Sequence, residues 1–167
     1  MTLAFISLGS NIAPEPHLRA AVSAVVALGR LWALSRVYET APVGAAGQPR
    51  YLNGAALLDT ALAPGALKEA LRAIEARLGR VRVRDRYAAR TIDLDIILYG
   101  DRRLLLQGRR IPDPELLRVA HIALPLADLS PGHRHPETGQ KLADLAAAWA
   151  SADVTIRYDL DLWPQRQ

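Results

Sequence analysis

The chain has 167 residues, half of them hydrophobic, which is enough for one folded domain with a real core and too apolar for a disordered chain. It contains no cysteine, so a disulfide framework, a thiolate nucleophile and a cysteine–zinc site are excluded. The net charge of +4 is carried almost wholly by arginine, Lys68 and Lys141 being the only lysines; this suits an anionic partner, and equally a GC-rich genome.

The N-terminal "MTLAFISLGSN" lacks a basic start and reaches polar residues too soon for a signal peptide. No apolar run is long enough to span a bilayer, so a soluble cytoplasmic protein is expected. Thr2–Leu8 reads as a strand, "GSNIAPEP" as a turn, and Leu18–Leu28 as a helix closed by Gly29. Leu31–Thr40 is a second strand and "APVGAAGQPR" a loop; Tyr51–Thr60 is a third strand. Pro64 opens a helix that reaches Leu78 and stops at Gly79. "RVRVRDRYAAR" is too charged for a core element, and "RTIDLDIILYG", Arg90–Gly100, is the fourth strand.

The order β-α-β-β-α-β predicts an α+β, ferredoxin-like core: an antiparallel sheet with helices on one face. In it the first and fourth strands lie beside the third and second, and the other sheet face is open. C-terminal additions follow Asp101: a hairpin in "DRRLLLQGRRIP", a helix in "KLADLAAAWA" and a strand in "VTIRY". No repeat or linker divides the chain, so residues 1–167 are expected to form one domain, and a monomer.

Strand alternation puts Ile92, Leu94, Ile96 and Leu98 on the helix-covered face and Thr91, Asp93, Asp95 and Ile97 on the other. Same-face Cα atoms lie roughly 6.6–7 Å apart, so two carboxylates converge and repel. A hard cation such as Mg²⁺ relieves that repulsion; so does an arginine salt bridge or plain solvation. Arg77, Arg80, Arg82, Arg84, Arg86 and Arg90 crowd the approach to this strand, with only Asp85 against them. An acid pair beside an arginine-rich loop is what a nucleoside triphosphate requires. There is no GxxxxGK[ST], so this is not a P-loop enzyme, and "HRH" at His133–His135 reads as an exposed loop.

Five segments in order resemble one family, the 6-hydroxymethyl-7,8-dihydropterin pyrophosphokinases of folate biosynthesis. They are "SLGSN", "SRVYETAPVG", "QPRYLN", "IEARLGRVR" and "RTIDLDIILYG". The resemblance implies transfer of pyrophosphate from ATP to the pterin's hydroxymethyl oxygen, leaving AMP. It implies two Mg²⁺ ions arriving with ATP, and no nucleic-acid or membrane partner. By position, Asp93 and Asp95 resemble the metal-holding acids, and Arg82 and Arg90 the arginines that grip phosphate and assist transfer. Arg72, Glu75, Arg82, Arg90, Ile96 and Asp113 fall at ATP-binding positions. Thr40, Ala41, Pro42, Val43, Tyr51, Asn53, Asp93 and His121 fall at pterin-binding positions. The loops Ala41–Arg50 and Arg80–Ala89 resemble the family's mobile catalytic loops.

Past Pro112 the likeness departs. The family's Pro-His-Pro is Pro112-Asp113-Pro114 here, and its downstream arginine and phenylalanine are Val119 and His121. Two other readings stand beside the enzyme: a pterin-binding paralogue without turnover, and an RNA-binding ferredoxin-like module. The single phenylalanine and the acid pair argue against the second.

Overall fold

The computed structural model describes residues 1–42, 47–81 and 88–164. Strand β1 (Thr2–Ser10) leads into helix α1 (Pro14–Val25), which tightens into a 3₁₀ turn at Val26–Leu28. The helix begins four residues before its predicted start. Pro14 and Pro16 lie in the first turn, where a missing N–H breaks no helical bond, so "APEP" opens the helix rather than forming a turn. The predicted second strand is two: β2 (Arg30–Leu34) and β3 (Tyr38–Thr40). Ser35 makes the break, its hydroxyl accepting from the Ala55 N–H at 2.8 Å in place of a regular ladder bond. β4 (Tyr51–Thr60), α2 (Pro64–Arg77) and β5 (Asp93–Tyr99) complete the core.

The sheet runs β5-β1-β4-β3, antiparallel throughout, with β2 also on β4. That is the ferredoxin-like order, with α1 and α2 packed on one face. Ala4, Ile6 and Leu8 of β1 and Ala56 and Leu58 of β4 meet Leu18, Val22, Leu67 and Leu71 of the helices there.

The other face is not open along its whole length. The C-terminal additions supply a hairpin, β6 (Leu104–Leu106) and β7 (Arg109–Ile111), a 3₁₀ turn at Pro114–Leu117, helices α3 (Ala120–Leu129) and α4 (Leu142–Ala147), and β8 (Val154–Ile156) paired to β3. The hairpin turn has φ of 50° at Gln107 and 82° at Gly108, the pair of positive angles that such two-residue turns need. α3 and α4 form a second core with Phe5, Ala55, Leu57, Ile97 and Leu98. α3 is not among the expected elements, because Pro125 interrupts its helical pattern.

Leu98 faces this second core instead of the first. The register passes from Phe5–Leu98 to Ile6–Ile96, so Ile97 is the extra residue of a β-bulge that reverses the alternation. His135 is likewise buried, not exposed: Nδ1 accepts from the Glu137 and Thr138 N–H groups. No helix among the described residues is long and apolar enough to cross a membrane.

Gly29 joins the 3₁₀ turn to β2 where the backbone of β4 comes close. A Cβ there would strike the Asp59 carbonyl and stand 3.1 Å from Thr60 Cα. Gly29→Ala should therefore lower unfolding free energy by about 1–3 kcal/mol, as overpacking does, read from urea titration. An unchanged midpoint would show that β2 yields freely.

Candidate active site

Antiparallel pairing places the site. Gly9 is opposite both Asn53 and Asp93, Ser7 opposite both Ala55 and Asp95, and Thr40 opposite Tyr51. Opposed residues share a sheet face, so these all lie on the second face with Phe5 and Leu57. Its apolar half is covered by α3. Its polar half is the floor of a cavity of about 560 Å³.

Eight predicted residues line this cavity: Thr40, Ala41, Tyr51, Asn53, Arg90, Asp93, Asp95 and His121. Val43 and Arg82 lie outside the described residues. Pro42, Arg72, Glu75, Ile96 and Asp113 are not among the lining residues. Ile96 is in the core beneath the helices. Glu75 is buried, its Oε1 accepting from the Leu94 N–H at 2.8 Å, so it braces β5 from behind. Arg72 pairs with Glu69 on the surface of α2.

The lining changes character across the floor. On the β3–β4 side it is neutral: the buried Asn53 donates Nδ2–H to Thr40 Oγ1 at 2.9 Å, beside Tyr51. On the β5 side it is charged. Arg90 Nη1 meets Asp93 Oδ2 at 2.7 Å, and Arg80 Nη2 lies 3.6 Å from Asp93 Oδ1. Asp95 has its own cations, Lys68 at 2.7 Å on Oδ1 and Arg109 at 2.8 Å on Oδ2. Burial alone would raise the Asp95 carboxyl, but Lys68 and Arg109 outweigh it and hold Asp95 below the usual carboxylate range. Gly9 separates the two sides, and a Cβ there would approach Asn53 Oδ1 to 3.1 Å.

Arg90 is set by its backbone as well. Its N–H donates to Asn11 Oδ1 at 2.8 Å, and its carbonyl accepts from the Asn11 and Ile12 N–H groups. The same Asn11 donates Nδ2–H to Gln48 Oε1 and to the Pro49 carbonyl, so one side chain joins the ends of both predicted catalytic loops.

Asp113 is 3% exposed, with Oδ2 on Arg109 at 2.8 Å and Oδ1 accepting from the Glu115 N–H at 2.9 Å. Sequence reasoning missed Lys68, Arg109, Asn11 and Gly9. The hairpin that returns Arg109 to β5 was legible, but not the register that aims it at Asp95.

The donor set suits a hard divalent cation. Asp93 is 31% exposed, and among the described residues Asp95 Oδ2 is held by Arg109, itself 49% exposed, so each acid has an oxygen to offer. Among the described residues no third acid or histidine completes a metal cluster, so phosphate and water would fill the remaining positions.

The sequence model of the 7,8-dihydro-6-hydroxymethylpterin-pyrophosphokinase family matches residues 5–131. The 2-amino-4-hydroxy-6-hydroxymethyldihydropteridine pyrophosphokinase of Pseudomonas aeruginosa is 45% identical over 147 residues, covering 86% of this chain and 90% of that one. The protein of that name from Haemophilus influenzae is 37% identical over 133 residues, 78% of this chain and 82% of its own. A crystal structure of Plasmodium falciparum HPPK-DHPS with pteroate superposes at a TM-score of 0.71 over 90% of this chain, at 13% identity. That likeness bears on the fold, and the present chain spans 44% of the longer one.

Burial depresses the His121 imidazole below its ordinary value, and Asp93 opposes this in part. A depressed histidine makes the native state bind fewer protons than the unfolded one. Its contribution to stability is thus complete above about pH 6.5 and is lost as pH falls through that value toward the native pKa. NMR titration of His121 should give a midpoint below 6.5, moving lower still in Asp93→Asn. A midpoint at or above 6.5 would contradict the burial argument.

Proposed function

The chain belongs to the 7,8-dihydro-6-hydroxymethylpterin-pyrophosphokinase family, and from that premise we propose how its cavity transfers pyrophosphate from ATP to the hydroxymethyl oxygen of the dihydropterin, a step of folate biosynthesis. The observation that carries the reading is the division of one cavity floor into a neutral, hydrogen-bonding side and a charged side.

The pterin lies on the β3–β4 side. Asn53, its amide steadied by Thr40, offers a donor and an acceptor to the polar edge of a flat heterocycle, and Gly9 leaves the floor flat. Tyr51 and His121 supply ring faces. Burial keeps His121 neutral near pH 7, so it stacks as an uncharged ring. Thr40 and Ala41 present backbone to the same ligand.

The triphosphate lies on the β5 side. Arg90, anchored by Asn11 and Asp93, is already oriented and costs little reorganisation on meeting phosphate. Arg82, assigned to the same task, lies outside the described residues. Asp93 and Asp95 would hold two Mg²⁺, which when bound would neutralise phosphate oxygens and acidify the attacking hydroxyl. Glu75 acts from behind the strand by fixing Leu94, between the two acids.

The test is incubation with MgATP and the hydroxymethyl dihydropterin, followed by phosphorus NMR. AMP and a pterin diphosphate are expected, whereas ADP with a pterin monophosphate would mean a different reaction. Asp93→Asn should keep the fold and lower turnover by orders of magnitude, since the metal clamp contributes several kcal/mol. Asp95→Asn should also cost stability, because it leaves the buried Lys68 ammonium without its carboxylate. Near-normal turnover in either variant would sink the acid assignment. His121→Phe should tighten pterin binding by about two- to tenfold in calorimetry, from stacking worth about 0.5–1.5 kcal/mol. Weaker binding would show that His121 makes a polar contact instead.

A further inference from the structure

Lys68 takes no part in the substrate contacts above, yet it is 7% exposed and its ammonium meets a site acid. Its route there is unusual. β5 is the edge strand, and Leu94 turns its backbone away from β1, its N–H donating to Glu75 and its carbonyl accepting from Lys68 Nζ at 3.4 Å. α2 therefore caps this edge with one acid and one base. From the edge, Nζ continues around the strand to Asp95 Oδ1, on the opposite sheet face from the helix that carries it.

The two cations on Asp95 are unequal. Arg109 is half-exposed and can swing into solvent or onto a ligand. The Lys68 side chain is 9% exposed, enclosed between α2 and β5, and has no solvent-side position to move to without leaving the helix–strand interface.

We propose that Lys68 is a positioning residue, a resident counter-cation that fixes Oδ1 of Asp95 and leaves Oδ2 as the only oxygen this acid gives to a metal. The inference rests on the reading of Asp95 as a metal ligand. Asp93 and Asp95 together face Lys68, Arg80, Arg90 and Arg109, the last shared with Asp113, so each acid is already paired before any ion arrives. A bare divalent cation must displace one of these partners to bind. It is retained only with nucleotide phosphates, which draw the arginines off and complete its oxygen shell. Lys68 thereby keeps the protein from collecting divalent ions without substrate.

The experiment is Mn²⁺ titration followed by electron paramagnetic resonance on the full chain, without nucleotide. Wild type should bind Mn²⁺ weakly, and Lys68→Met at least about tenfold more tightly, the change expected for removing one cation worth about 1.4 kcal/mol at the ligand. Lys68→Arg, which keeps the charge, should stay close to wild type. Adding Asp95→Asn to Lys68→Met should abolish the gain, which ties the effect to that carboxylate. A folded Lys68→Met with wild-type Mn²⁺ affinity would reduce Lys68 to packing and overturn the proposal. So would a wild type that binds Mn²⁺ as tightly without nucleotide as with a non-hydrolysable ATP analogue, a measurement that needs no variant to fold. With the analogue present, Asp95→Asn alone should weaken Mn²⁺. If it does not, the ligand reading has failed; if it does while Lys68→Met changes nothing, only the role of Lys68 has failed.

Discussion

Two carboxylates on one face of an edge strand are the constraint around which this molecule is arranged. Unmatched, they would repel across a partly buried surface and oppose pairing of β5 with β1. Each is met from a different part of the chain: Asp93 by Arg80 and Arg90 from the segment that feeds the strand, Asp95 by Lys68 from α2 and Arg109 from the hairpin beyond it. The cations therefore also act as tethers. α2, the entry to β5 and the hairpin all converge on the acid pair, and the C-terminal additions are fixed to the core partly through it.

The second sheet face solves a related problem of coverage. A four-stranded core with helices on one side leaves the other side to be buried or used, and here it is divided. Phe5, Ala55, Leu57 and Ile97 are buried under α3, while Ser7, Gly9, Asn53, Asp93 and Asp95 line the cavity. The bulge at Ile97 serves this division, since it turns both Ile97 and Leu98 toward α3 just beyond the acids. Tyr38 OH donates to Asp128 of α3 at 2.8 Å, holding the helix at the boundary between the two halves.

Local signals made the core legible. Period-two strands, Pro64 and Gly79 around α2, and the alternation of Asp93 and Asp95 each depend on neighbours within a few residues. What was missed depends on distant parts of the chain. Lys68 sits among helix-forming residues and reads as solvated until the edge strand is placed beside it. Asn11 carries a turn-like sequence, and only the folded chain brings Arg90, Gln48 and Pro49 around its one amide. α3 was obscured by Pro125, whose missing N–H is tolerated within a ten-residue helix packed on a sheet. The Leu98 error came from assuming an unbroken alternation, a pattern that a single extra residue reverses.

The departures from the family pattern after Pro112 take on a physical meaning from these contacts. A carboxylate at Asp113 would repel phosphate if it faced the cavity. Both its oxygens are engaged elsewhere, one by Arg109 and one by the Glu115 N–H, and the residue is almost wholly buried. The group that reaches the cavity in its place is Arg109, half-exposed and shared with Asp95. Desolvation is costly for a lone buried carboxylate, so Asp113 and Arg109 hold each other in place, and what the pair presents to solvent is cationic. The position of the histidine in the family's Pro-His-Pro thus still brings positive charge to the β5 side of the cavity, from a neighbouring side chain. Val119 offers no such replacement for the family's arginine: it lines the cavity as an apolar group and packs on the second core. Arg109 is thus a cation that this stretch of the chain brings to the acid pair, where the proposed transfer takes place.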